Sequence, residues 1–476
     1  MALNQKFDTV VVGTGFASSF FLREYLRHAP ASARILVLER GRKLPYSWKV
    51  QNGKNSDFPF GETVVNKTPQ KPWVQNIAFG GGSCWTGTSP RPHPSDFEMK
   101  TRYGVGDDWP FGYDDLEPYL TEVEYAMTIG GAEGGPFPRS KPYPAPPHAM
   151  NSFDEALARK YPGQYLPMPS ARASTTKAGR PQCCANGICS TCPIGAKFQV
   201  DLHMTDVYAD PRVELRLEAR VDRLGIEANQ VREVHYTDAA GTPQVVKCDL
   251  AVVGAHAICS PFILLRSGLE DAALGRYLHE QFAVTVQLNL DGLDSLDGGQ
   301  QVTGLGIMFH DSTDRSKRAA CNVESWNVPW LRAERGRWRQ RAVIKFVFED
   351  LPSYDNYVGI SSEDETKPEL YYPVRPDYTQ AAMDSVPQLV EELVDGLPVE
   401  DYVVIPEEDL GSGAHIQGTT RMGADPSSSV VDDGLVHHRV RNLLALGSGA
   451  FPSCPAANPT LILSALSVRA ARKLVG

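Results

Sequence analysis

The chain has 476 residues, a formal net charge of −10, 42% hydrophobic residues and 22% charged residues. At roughly 100–200 residues per domain this is two or three domains, enough to bury a core without disulfides or metals. The acidic balance, with no basic stripe, excludes a nucleic-acid binder, and no run of about 18 apolar residues predicts a membrane span.

The opening MALNQKFDTVVVG has no basic segment and no small-residue cleavage site. That predicts a cytoplasmic protein and leaves export with a partner subunit open. Residues 7–12 form a β-branched apolar run that reads as a buried strand. Gly13-Thr-Gly15-Phe-Ala-Ser18 follows, then a helical pattern over 19–27 and a second strand, Ile35–Leu38, ending at Glu39. This order predicts a dinucleotide-binding βαβ unit. Gly13 permits the tight turn, and Gly15 lets backbone approach a pyrophosphate at the helix N-terminus. Ser18 stands where a third Gly or Ala is usual, predicting slightly looser helix–strand packing. Glu39 is placed to accept hydrogen bonds from a ribose diol. The motif alone does not separate FAD from NAD.

The Pro-rich stretch 136–147 reads as an extended loop. Cys183, Cys184, Cys189 and Cys192 fall within ten residues; the other five cysteines are scattered. The spacing matches iron–sulfur ligation. It also leaves open a zinc site, a Cys-x-x-Cys redox pair, disulfides in an exported chain, or inert remnants. Strands are predicted over 213–224, 233–237 and 250–253, and over 343–348, where Lys345 is the one charge in an apolar run. The apolar candidate span 251–265 is broken by His256, Ser260 and Pro261. Near the C-terminus come His415-Ile-Gln-Gly-Thr-Thr-Arg-Met-Gly, a strand running into Gly447-Ser-Gly-Ala450, and Asn458-Pro459-Thr460 opening an apolar helix to Leu474. Asn458 is a favoured N-cap and Pro459 suits the first helical position. The helix N-terminus carries partial positive charge. His437 and His438 read as surface residues.

These segments, with Phe79-Gly-Gly-Gly-Ser-Cys-Trp-Thr-Gly87, Asp107-Asp-Trp-Pro110, Ala219-Arg-Val221 and Ala251-Val-Val-Gly-Ala-His-Ala-Ile-Cys-Ser-Pro261, resemble the glucose–methanol–choline (GMC) family of FAD oxidoreductases in order and over most of the chain. The resemblance implies an α/β fold: a Rossmann-type FAD-binding domain (1–100, 200–290 and 405–476) interleaved with an α+β substrate or cap domain (101–199 and 291–404). It implies His415 as the base taking a substrate hydroxyl proton and Asn458 as its partner on the substrate oxygen. FAD would be held by Gly13, Gly15, Ser18, Glu39, Arg40, Gly81, Gly82, Ser83, Val221, Gly447, Ala450, Pro459 and Thr460. No His stands in the 80–86 loop, so the FAD is expected to be noncovalent. Glu349-Asp350-Leu-Pro resembles a family loop near the active site.

The cysteine segment with Cys192-Pro-Ile-Gly-Ala-Lys197 resembles the iron–sulfur branch of that family, the flavoprotein subunits of bacterial sugar dehydrogenases. It implies a 3Fe-4S cluster on Cys183, Cys184, Cys189 and Cys192, although only Ser190 and Thr191 separate the last two where three residues are usual. It further implies a dehydrogenase acting on a sugar, polyol or glycoside hydroxyl, a small chaperone-like partner subunit, a cytochrome acceptor, and periplasmic placement through the partner. A GMC oxidase using dioxygen, an NAD-linked enzyme and a non-catalytic flavoprotein subunit are the rivals.

Overall fold

The computed structural model describes residues 5–68, 73–75, 77–80, 84–405 and 413–476. The central strand, Lys6–Val12, is buried along its last four residues. It pairs in parallel with Ile35–Leu38 on one side and with the second half of Pro243–Val253 on the other. Such two-sided burial suits a β-branched run. Leu443–Ala445 joins Pro243–Val253 in parallel, and Val213–Arg216 joins Ile35–Leu38.

The run 213–224, expected as one strand, is two. Glu218 sits at φ +53 between them. Val213–Arg216 closes one edge, whereas Arg220–Glu227 enters an antiparallel meander with Gln230–Thr237 and Pro243–Val253.

The helix Phe16–Tyr25 starts three residues earlier than expected, because extended Gly15 already ends the turn. The C-terminal helix Pro459–Val475 packs between it and Tyr113–Met127. Leu116, Leu120, Val123 and Met127 share one buried core with Val10 and Leu461. Tyr113–Met127 therefore packs with the dinucleotide-type lobe, not with the cap as its place in 101–199 implied.

A second sheet is wholly antiparallel, in the order Val399–Val404, Phe282–Leu290, Arg341–Phe348, Cys321–Trp326, Val302–Gly306, Tyr165–Pro167. Phe282–Leu290 belongs here, so the boundary expected at 290 falls near Gln281. One face of this sheet, with Val286 and Leu288, shares a core with Val386, Leu389, Val390 and Leu393. The other face brings Ala283, Glu324, Trp326, Lys345 and Val347 to a cavity between the sheets. Among the described residues no helix is long and apolar enough to cross a membrane.

Buried ions staple the loops. Arg91, fully buried, donates to both Glu124 oxygens (2.8 and 2.9 Å) and to Glu117 (2.9 Å). Arg315, equally buried, is held by Asp96 and Glu349. Removing one partner of a buried pair leaves an uncompensated charge, so Arg91→Met is expected to lower the unfolding free energy by about 3–5 kcal/mol. Denaturant unfolding checks this, and a loss under about 1 kcal/mol, the scale of an exposed pair, would refute it.

Candidate active site

The cavity holds about 420 Å³ and draws its lining from both ends of the chain. At the N-terminal turn, Gly13 sits at φ +91, and a Cβ there would meet the Gly254 carbonyl oxygen at 2.6 Å. A Cβ on Gly80 would lie 2.9 Å from Gly15 Cα. Only glycine lets these loops touch while leaving the floor open.

Ser18 does not line the cavity. It is buried, with Oγ 3.5 Å from the Val12 carbonyl and 3.4 Å from that of Gly254. A Cβ on Gly254 would meet that Oγ at 2.2 Å. Serine fills the space beneath Gly254, so the expected cofactor contact and looser packing are both corrected.

Glu39 lines the cavity but is already engaged. Its carboxylate accepts from Thr14 N (3.1 Å), Thr14 Oγ1 (2.7 Å), Gly41 N (2.7 Å) and Ala78 N (3.2 Å). It thereby ties the Gly-rich turn to the 77–79 loop, a role the spacing of the motif does not announce. Arg40, Val221 and Gly447 line the same space, and Gly447 sits at φ +100. Ala450 is fully buried and does not line it. Gly81, Gly82 and Ser83 lie outside the described residues. Pro459 and Thr460, the first turn of the C-terminal helix, open on the cavity opposite chain positions 13–17. Two helix N-termini with unpaired N–H groups and close glycine backbones fit the anionic, flat portions of a dinucleotide such as FAD.

His415 lies on the same cavity. Its Nδ1 is 2.5 Å from Gln281 Oε1. Gln281 Nε2 donates to the carbonyls of Pro455 (2.5 Å) and Ala457 (2.8 Å), which fixes the amide. Oε1 must then be the end facing the imidazole, so Nδ1 carries the proton and Nε2 is a bare acceptor. Burial lowers the His415 pKa to about 4, against the pull of Glu280, with Lys345 adding to the lowering. The imidazole is therefore neutral and ready to accept a proton near neutral pH.

Asn458 precedes the C-terminal helix but does not cap it with its side chain. It hydrogen-bonds the Glu324 carboxylate instead, and its Oδ1 is buried without a partner. The N-cap expectation is thus replaced by a cavity role. Gln281, Glu324, Trp326 and Lys345 come from the second sheet, and the motifs did not point to them. Lys345 alone left a trace, as the isolated charge in its strand. Glu349 and Asp350 are knotted into the fold: Glu349 accepts from Arg315 and Tyr378, Asp350 from Tyr372 and Thr379. Neither lines the cavity. His437 is not a surface residue; it is buried, 3.0 Å from Asp271.

The cysteine segment is not gathered. Cys184 is exposed, Cys183 half-buried, and Cys189 and Cys192 are buried. Among the described residues no three or more His, Cys, Asp or Glu are placed to share a metal ion. Buried Lys197 holds this segment instead, donating to the carbonyls of Trp85 (2.6 Å), Cys189 (2.9 Å) and Ser190 (2.7 Å). Burial raises the Cys189 thiol to about 11, whereas at Cys192 burial is outweighed by backbone N–H groups and Arg172, which lower the thiol. The residues as placed do not fit a 3Fe-4S cluster.

Residues 352–467 match the family model described as GMC oxidoreductase. Over 98% of its length the chain is 26% identical to the fructose dehydrogenase large subunit of Gluconobacter japonicus, 97% of which is covered. It is likewise 26% identical, over 98% of its length, to paromamine 6'-oxidase of Streptomyces fradiae, 91% of which is covered. The solved pyridoxine 4-oxidase from Mesorbium loti shares the fold over 98% of this chain and 99% of its own, with a TM-score of 0.68 at 18% identity. Residues 352–467 thus match a GMC oxidoreductase domain, and the two-sheet architecture, with a C-terminal His–Asn pair facing a glycine-lined cavity, is similar to that of these proteins.

Proposed function

We propose that the protein is an FAD-dependent dehydrogenase that oxidises a hydroxyl of a sugar, polyol or glycoside. The observation that carries this reading is the fixed imidazole: Gln281 holds His415 with Nε2 unprotonated beside the dinucleotide-type turn. FAD, when bound, supplies the two-electron acceptor for hydride from the carbinol carbon. His415 Nε2 takes the hydroxyl proton, and Asn458, which lines the cavity at the start of the C-terminal helix, helps orient the substrate.

Dehydrogenase action with a partner subunit is supported by the end-to-end similarity to a fructose dehydrogenase large subunit, and a cytochrome is the acceptor we propose. The oxidase reading draws on the equally long similarity to a paromamine 6'-oxidase. Acceptor assays on the purified yellow protein separate the two. The expected result is substrate-driven dye reduction with no peroxide formed in air; stoichiometric peroxide would establish the oxidase. Iron and acid-labile sulfide analysis of the same sample is expected to give less than one iron per chain. Three irons per chain would show that the cysteine loop closes around metal and would restore a cluster as the electron exit.

A further inference from the structure

The second sheet offers the cavity a charged pair that proton removal by His415 does not need. Lys345 and Glu324 face each other across antiparallel strands, and both line the cavity. Trp326 binds both. The Lys345 ammonium sits 3.9 Å from the indole ring centre, and the indole N–H donates to Glu324 at 3.0 Å. Glu324 also accepts from Asn458, the residue beside the reacting centre. The Lys345 ammonium interacts with Glu324 through space but has no hydrogen-bond acceptor among the described residues. A half-buried ammonium without an acceptor is costly to leave unpaired. Burial lowers the Lys345 pKa and raises that of Glu324, so each group lacks part of its solvation.

A single hydroxyl satisfies this arrangement, since its oxygen accepts from an ammonium while its proton goes to a carboxylate. A carboxylate in that place would face Glu324, and an amine would face Lys345. A bare methylene would leave the Lys345 ammonium without an acceptor. We propose, resting on the alcohol-oxidising reading above, that Lys345 and Glu324 bind a second hydroxyl next to the one oxidised. The site then selects neutral vicinal polyols over monohydric alcohols, hydroxy acids and amino alcohols.

The test compares propane-1,2-diol, propan-1-ol, lactate and 1-aminopropan-2-ol as donors to the flavin-loaded enzyme. Expected for the native protein is a kcat/KM for the diol at least tenfold above each of the others. Lys345→Met should raise KM for the diol about tenfold or more, the scale of one lost hydrogen bond to a charge. It should leave the bound flavin absorption unchanged and cut the ratio of diol to propan-1-ol kcat/KM by the same factor. Glu324→Gln, nearly the same shape, should bring the diol and the aminoalcohol closer together. Diol binding is read separately in a His415→Ala background, as a perturbation of flavin absorption without turnover, and should weaken on adding Lys345→Met. A diol preference that survives Lys345→Met within twofold, or no diol preference in the native protein, overturns the inference while the functional reading stands. Failure of every alcohol to bleach the native flavin overturns the functional reading and this inference with it.

Discussion

His415→Ala is expected to lower substrate-driven turnover by about 10²–10⁴, the range of a positioned general base, while the flavin stays bound. The cavity lining that would hold the dinucleotide comes from other elements: the turn at Gly13–Gly15, Arg40, Val221 and the first turn of the C-terminal helix. Anaerobic mixing with substrate should leave the flavin absorption unbleached on the timescale at which the native protein is fully reduced. Unchanged bleaching would show that the proton goes elsewhere. The pH dependence follows from the same burial. His415 is the base only when neutral, and its pKa is lowered to about 4. Native kcat/KM should therefore rise with pH through about 4 and be flat by neutrality, whereas a solvated imidazole would place that limb near about 6.5. An acid limb at the solvated value would mean that the imidazole is wet in the free enzyme.

The dinucleotide-type lobe was legible because its signals are local. A strand, a glycine turn and a helix lie within thirty residues, and each local preference agrees with the tertiary role. Ile35–Leu38 and the C-terminal helix came out almost residue for residue for the same reason. What was not legible depends on contacts between distant segments. The spacing of Glu39 from Gly15 placed it on the cavity, but could not show that three separate stretches of backbone converge on its oxygens. Ser18 looked like a weakened glycine until Gly254, 236 residues on, supplied the space it fills. The cysteines looked like ligands by count and spacing, yet the loop is held by Lys197 through the Cys189 and Ser190 carbonyls, and among the described residues no three ligands converge. The boundary at 290 failed because 282–290 is a single alternating strand whose partners lie near 345 and 402, which composition cannot show.

The same long-range placement hides Gln281, and its replacement should have the second large effect. Gln281→Leu removes the acceptor for His415 Nδ1–H and leaves that donor without its 2.5 Å partner. The ring is then free to carry its proton on either nitrogen, and only one tautomer presents a base. The expected loss in kcat is about 10–10², with KM little changed, since the interaction acts through the base and not on the ground-state substrate. Gln281→Lys is more severe. A donor in place of the acceptor drives the proton to Nε2, and loss of the correct tautomer costs about 10⁴ in the hydrolases where it has been isolated. Gln281→Glu keeps the acceptor and adds negative charge, which favours the imidazolium. It should retain most activity at neutral pH and move the acid limb upward from about 4. That upward shift is what a merely structural glutamine would not produce, although Glu also forfeits the two hydrogen bonds to Pro455 and Ala457. Combining Gln281→Leu with His415→Ala should add nothing further to the loss, because the glutamine acts only through the histidine. Additive losses in that double variant would show that Gln281 touches the substrate itself.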